Sequence, residues 1–363
     1  MVSDSANPYA GSDSVTAPKY FHGRAEETEE VLSRVTSRVP QCVSIVGPPG
    51  IGKSSLLHFI TSVEKREEFF PNPEDYVCAM VRLDVRDSMD TFFRKVSTEI
   101  GRACPDLGNE LPPPDREGFS DLTAELAERD KKLILFLDDF DLALRSEMFP
   151  EDFFTFLRGK ANTQKVAYVT ATAERMMTLF ARRSEVGSPF FNVFSVMPLG
   201  PMERDDVTAI VETPVGSTPG LLAGHGRTVY HLAGGFPLLV QCLCQILHTR
   251  RRRGVRLDDE DIDEAAEAVV RACRYYLHNC WQRLSRDERN MAKRLLQGGS
   301  VVGLEERLGT LNEKGYIYID EKTDRPILFP GLFRRFAREK LGMDDEDTVL
   351  DKSFFEWLRK ISR

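Results

Sequence analysis

Gly47-Pro48-Pro49-Gly50-Ile51-Gly52-Lys53-Ser54-Ser55 places glycines, an amine and hydroxyls at the G-x-x-x-x-G-K-[ST] spacing of a phosphate-binding loop. Gly50 and Gly52 allow the backbone to curl with its N–H groups inward, and a following helix would present its positive end to the same phosphate. Lys53 is expected to reach β- and γ-phosphates and Ser54 to ligate Mg2+. Pro48, Pro49 and Ile51 belong to the loop, and Ser55 falls in the first helical turn. A second chemical feature is Leu133-Ile134-Leu135-Phe136-Leu137-Asp138-Asp139, five apolar residues followed by two carboxylates. Asp138 suits a metal held through its water shell, and Asp139 suits polarisation of an attacking water.

Several elements must position these groups. Gln41 to Val46 reads as a buried parallel strand and Ser54 to Ile60 as a helix, which puts the glycines at a strand-to-helix turn. Tyr76 to Leu83, ending at Asp84, reads as a strand inserted between the loop and the acids. Val166 to Thr172 and Asn192 to Met197 read as two more strands. Thr170 or Thr172, near the end of its strand, is placed to sense a γ-phosphate; either threonine also suits a strand for its β-propensity alone. The alternation predicts an α/β fold: a doubly wound parallel sheet flanked by helices, with nucleotide at the strands' carboxyl ends.

With these motifs in order, the chain resembles the AAA+/STAND class of P-loop ATPases, and origin-recognition-type ATPases within it. Phe21-His22-Gly23-Arg24-Ala25-Glu26-Glu27 is similar to the F-x-G-R-x-x-E segment found upstream of the loop, and Gly234-Gly235-Phe236-Pro237-Leu238 to the G-x-P-L motif of STAND proteins. The resemblance covers roughly residues 20 to 340. It implies ATP and Mg2+ as cofactors, Gly23 and Arg24 lining the adenine pocket, and Pro237 packing on the base from a helical lid. It further implies an arginine acting in trans, for which Arg182 and Arg183 occupy the expected place; capping a helix C-terminus is their alternative use. Arg175 is displaced from the position at which STAND proteins often carry an arginine after the sensor strand, and no M-H-D motif is present.

Beyond residue 200 the pattern turns helical, with Leu238, Leu239, Leu243, Ile246 and Leu247 forming a stripe. Helical stretches up to Gln297 and from Leu304 to Leu311, then Tyr316 to Ile319 and Ile327 to Phe329 around a turn, read as a winged helix. The expected division is a disordered arm at 1–18, an ATPase core at 19–200, a helical lid at 201–280, a winged helix at 281–340 and a helical segment at 341–363. In that last segment Leu350, Phe354, Trp357, Leu358 and Ile361 recur at helical spacing.

Charge bounds the partners. With 49 Lys and Arg against 57 Asp and Glu, net −8, attraction of the whole chain to nucleic acid is not expected. Arg250 to Arg253 with Arg256, and Arg334, Arg335 and Arg338, are the local exceptions, while Glu305 and Glu306, on the helix that would enter a major groove, weaken a DNA role. Seven cysteines without paired spacing fit a reducing cytoplasm, the six histidines form no ligand array, and no membrane-spanning run or signal sequence is seen. The expected activity is slow ATP hydrolysis driving a switch between monomer and homo-oligomer, with a separate sensor or effector protein as partner. The alternatives are a DNA-engaging AAA+ ATPase and an assembly scaffold with little turnover.

Overall fold

The computed structural model describes residues 7–107, 111–163, 165–183, 189–215, 219–299, 304–320 and 325–343. They divide into two compact units, Val15–Leu199 and a second that joins the first 14 residues to Gly200 and beyond.

The first unit is built on five strands: β1 Cys42–Val46, β2 Tyr76–Arg82, β3 Lys132–Asp138, β4 Val166–Thr172 and β5 Phe194–Pro198. All pair in parallel, in the order β2-β3-β4-β1-β5. Helices cover both faces of such a sheet, so its strands carry apolar residues without alternation. β4 is buried at every position, and β3 at all but its first. The order reverses beside β1, which leaves a crevice beyond the carboxyl ends of the strands there. The loop of residues 47–52 leaves β1 at that point.

A helical array forms the second unit, with a two-stranded antiparallel hairpin, β6 Ile317–Asp320 and β7 Arg325–Leu328, near its end. Asp258 and Ser285 each make a capping box with the residue three positions on, fixing where the helices Asp259–Ala272 and Arg286–Leu296 begin. The Gly234-Gly235-Phe236-Pro237 motif has a local reason to exist. Gly234 has φ +62, and a Cβ on Gly235 would collide with the Met202 carbonyl oxygen. Pro237 then opens the helix Pro237–Arg252, a position where its missing N–H costs nothing.

One expectation is corrected here. The arm at 1–18 is not disordered throughout: from residue 7 it is packed. Tyr9 is only 4% exposed, and its hydroxyl donates to the Val211 carbonyl at 2.8 Å. The Ala10 N–H donates to Gln241 Oε1 at 2.9 Å. A polar, Ser- and Pro-rich composition conceals one large aromatic anchor, and that anchor with its backbone bonds suffices to order the segment. Residues 1–6 lie outside the described residues, as does 344–363, where the sequence places its terminal amphipathic stripe.

Candidate nucleotide-binding site

Two backbone bonds pin the base of the loop: Gly47 N–H to the Thr172 carbonyl at 3.1 Å, and Leu199 N–H to the Val46 carbonyl at 2.7 Å. Gly50 and Gly52 sit at φ +71 and +99, where a side chain is strained. The helix Lys53–Thr61 follows with Gly52 as its N-cap and no side-chain cap, so its positive end faces the loop's interior. Lys53 is buried, and its Nζ donates to the carbonyls of Gly47 (2.8 Å) and Pro48 (3.1 Å). Ile51 is fully buried, Pro48 half-buried and Pro49 exposed on the loop's outer side.

Ser54 joins the loop to the acids. Its Oγ donates to Asp138 Oδ1 at 3.0 Å. Asp138 ends β3 at 1% exposure, and its Oδ2 makes no hydrogen bond. Burial, with the neighbouring Asp139 charge adding to it, pushes the Asp138 carboxyl above the usual aspartate range. A buried carboxylate oxygen without a donor, next to a hydroxyl and an uncapped helix end, suits a hard divalent cation with oxygen ligands. Among the described residues no group of three or more His, Cys, Asp or Glu could hold a metal.

Asp139 adopts φ +53, a left-handed conformation uncommon for a residue with a side chain. Its Oδ2 accepts a hydrogen bond from Arg82 Nε at 2.9 Å, and the same Nε lies 3.9 Å from Asp138 Oδ2. Arg82 ends β2 and is the register partner of Asp138. The sequence reading missed it because strand adjacency and register decide the contact. The nearest usable signal is a cation closing the strand before the acidic one. His58, one helical turn beyond Ser54, has its pKa lowered by burial, against the opposing pull of Asp138.

The upstream segment packs on this loop. Gly23 and Arg24 both have positive φ, at +69 and +62. The Arg24 guanidinium donates to the Ile51 carbonyl at 3.3 Å and to Glu27 Oε1 at 2.7 Å, while Phe21 stacks on Phe59 of the loop helix at 4.2 Å. Other expected residues fall elsewhere. Ser55 Oγ accepts the Val15 N–H at 3.0 Å, so the hydroxyl serves the chain's own backbone. Thr170 lies level with Leu137 and Ser44, fully buried and short of the strand end. Thr172, level with Val46 and bonded through its carbonyl to Gly47, occupies the end itself. Arg182 is 62% exposed and ion-paired with Glu174 at 2.9 Å. Arg183 ends the same helix, Met176–Arg183. Pro237 belongs to the other unit.

The model of the family "Novel STAND NTPase 1" matches residues 8–340. The chain belongs to that family. No curated protein matches the chain. Among solved structures, this STAND NTPase is similar to the Walker-type ATPase PABY2304 of Pyrococcus abyssi, with 13% identity over 90% of this chain and 98% of that one, at a TM-score of 0.58. The ORC2 protein of Aeropyrum pernix, in ADPNP–ADP complexes, gives 14% identity over 91% and 98% and a TM-score of 0.57. The ORC1 protein of the same organism, in complex with DNA, gives 14% over 89% and 94% and a TM-score of 0.52. At such identities the likeness is one of fold: a P-loop ATPase sheet with an origin-recognition-like core.

Proposed function

We propose that the chain binds ATP with Mg2+, hydrolyses it slowly, and uses the difference between the two nucleotide states to change conformation or assemble, thereby regulating a partner protein. The observation that carries this is the buried Asp138 carboxylate, bonded through Oδ1 to Ser54 and left without a hydrogen bond at Oδ2, directly beside Asp139. A structural acid so buried would be expected to have its oxygens satisfied. Ser54 and Asp138 are the residues that would hold Mg2+, which supplies charge neutralisation for the phosphates. Lys53 exchanges its two loop carbonyls for phosphate oxygens, and the uncapped helix end binds the same chain. Asp139 orients the attacking water and takes its proton; the Thr172 hydroxyl at the strand end, which donates to the Glu174 carbonyl at 2.8 Å, would exchange that bond for a phosphate oxygen. Arg24 supports the loop from behind through Ile51. Pro237 closes on the base, and Arg182 or Arg183 acts in trans within an oligomer. The hairpin and its preceding helices serve as a winged-helix module for protein contact.

Three basic residues of the second unit favour the protein-directed reading over the DNA-engaging one. Arg335 is ion-paired with Asp263, Arg338 is buried, and Arg250 donates to the Asp261 carbonyl at 3.0 Å and pairs with Glu264 at 3.0 Å. Cations so engaged are poorly placed to release phosphate counterions. Calorimetric titration with ATP and Mg2+, followed by phosphate release, tests the proposal. Saturable binding weakened in Lys53→Ala, and turnover lost with binding kept in Asp139→Asn, are expected; no heat of binding to the wild-type chain contradicts it.

A further inference from the structure

Three helices of the second unit, Asp259–Ala272, Arg274–Arg283 and Gly331–Lys340, line an open cavity of about 530 Å3. Arg271, Arg274, His278 and Lys340 lie on its wall with Tyr275 and Phe336, and among the described residues no acid lines it. Phe336 is buried, whereas Tyr275, 80% exposed, is the most exposed aromatic side chain among the described residues. In a chain of net charge −8 this is a basic, aromatic surface. Arginine and tyrosine are the side chains on which protein contacts concentrate. The cations are held loosely. Arg271 pairs with Glu267 at 3.3 Å and Arg274 with Glu339 at 2.7 Å, and all four side chains are more than half exposed. Pairs so exposed are weak and exchange readily for another carboxylate. Lys340 Nζ donates to His278 Nδ1 at 3.2 Å across the cavity's edge.

We propose that this cavity is the docking site of the chain's own acidic run, Asp344-Asp345-Glu346-Asp347, which lies just outside the described residues. The inference goes beyond the nucleotide reading and does not depend on it. Lys340 both lines the cavity and ends its helix, and the chain does not run straight on from there. Gly342 has φ +63, its N–H donates to the Glu339 carbonyl at 3.1 Å, and the Met343 N–H donates to the Arg338 carbonyl at 3.1 Å. That pair of bonds is a Schellman turn, which bends the chain at the helix end. Asp344 is four residues beyond Lys340, so the two Cα atoms are at most about 14 Å apart whatever path the chain takes. A tether this short gives an effective concentration on the order of millimolar, against which any free acidic peptide must compete. Four successive carboxylates match the arginines and lysine in charge. Leu350, Phe354, Trp357 and Leu358, which follow at helical spacing, supply apolar surface for the Tyr275 ring. The family match ends at residue 340, so the cavity belongs to the shared domain and the acidic run lies beyond it. Docking closes the basic surface to acidic partners until the run is displaced.

Acetylation of Tyr275 by N-acetylimidazole, followed by mass spectrometry on the full-length chain, tests this. One variant neutralises the run with Asp344→Asn, Asp345→Asn, Glu346→Gln and Asp347→Asn together. A second reverses the cavity with Arg271→Glu and Arg274→Glu, and a third adds Asp344→Arg and Asp345→Arg to the second; each is checked for native circular dichroism. Tyr275 should react about tenfold faster in the first and second variants than in the wild type, as expected when docked and undocked states exchange. The third, with both charges swapped, should return to the slow rate. Equal rates in the wild type and the neutralised variant overturn the proposal. A rate that is fast in the wild type and falls only when a free Asp- and Glu-rich peptide is added makes an acidic partner the occupant instead, and one that is slow in both chains and rises on dilution makes it a second copy.

Discussion

Two buried acids, one in each unit, are treated in opposite ways. Glu288, 6% exposed, is surrounded by donors: Lys314 at 2.6 Å and the Ser285 N–H at 2.7 Å. Burial opposes its charge, but the Lys314 bond and the Ser285 N–H outweigh it and hold the carboxyl below the usual glutamate range. Asp138, buried more deeply, has no cation within hydrogen-bond distance, keeps one oxygen bare, and has its pKa raised. The first arrangement completes a helix cap and fixes a fold. The second leaves a buried carboxylate uncompensated, which is the condition that the proposed cation-holding role requires.

The sharpest way to break this contrast is through the neighbour of the bare acid. Asp139→Asn should lower ATP turnover by about 100-fold or more while leaving ATP affinity within a few-fold, read by single-turnover kinetics and calorimetry. Lys53→Ala should weaken ATP binding by roughly 10- to 100-fold, the worth of charge-assisted bonds to phosphate. Next come the two acids themselves. Glu288→Gln should destabilise the chain by about 1–2 kcal/mol, whereas Asp138→Asn should stabilise the nucleotide-free chain by about 1 kcal/mol and abolish Mg2+-dependent ATP binding. Urea midpoints measured alongside affinity separate these outcomes, and a destabilised Asp138→Asn chain would erase the distinction.

The pH dependence of the two acids sharpens the same contrast at smaller amplitude. Glu288 has a depressed folded pKa, so its contribution is present above the ordinary glutamate value and is lost as pH falls through the depressed one. Asp138 has a raised folded pKa: the folded chain keeps that proton when the unfolded chain has lost it. Stability therefore falls as pH rises from the ordinary aspartate value through the raised one, and Asp138→Asn should remove that slope. At the small end, Arg182→Ala should change stability by less than about 0.5 kcal/mol, since its ion pair with Glu174 is exposed, and should act only on turnover in assembled protein.

The first unit was legible where burial or chemistry constrains residue type. Strands enclosed on both faces must be apolar throughout, so β1, β3 and β4 stand out from the chain. Phosphate contact demands glycines, Lys53 and Ser54 at one spacing. Pairing between distant strands leaves no such mark: the place of Arg82 beside Asp138 follows from β2 lying against β3 in a given register. Thr170 and Thr172 differ by two positions on one strand face, and only the level of β1 shows which of them reaches the end. The arm was misread for a related reason. Its partners Val211, Gln241 and Gln245 lie some 200 residues away, and a single tyrosine carries too little periodicity to announce them.

Light scattering on the Asp139→Asn chain with Mg2+, comparing ATP with ADP at equal saturation, tests the nucleotide switch most directly. The account predicts a mass near that of the 41.2 kDa monomer with ADP and a multiple of it with ATP. The same mass in both states, with unchanged hydrogen exchange in the helix Pro237–Arg252 and both nucleotides shown to be bound, would contradict it.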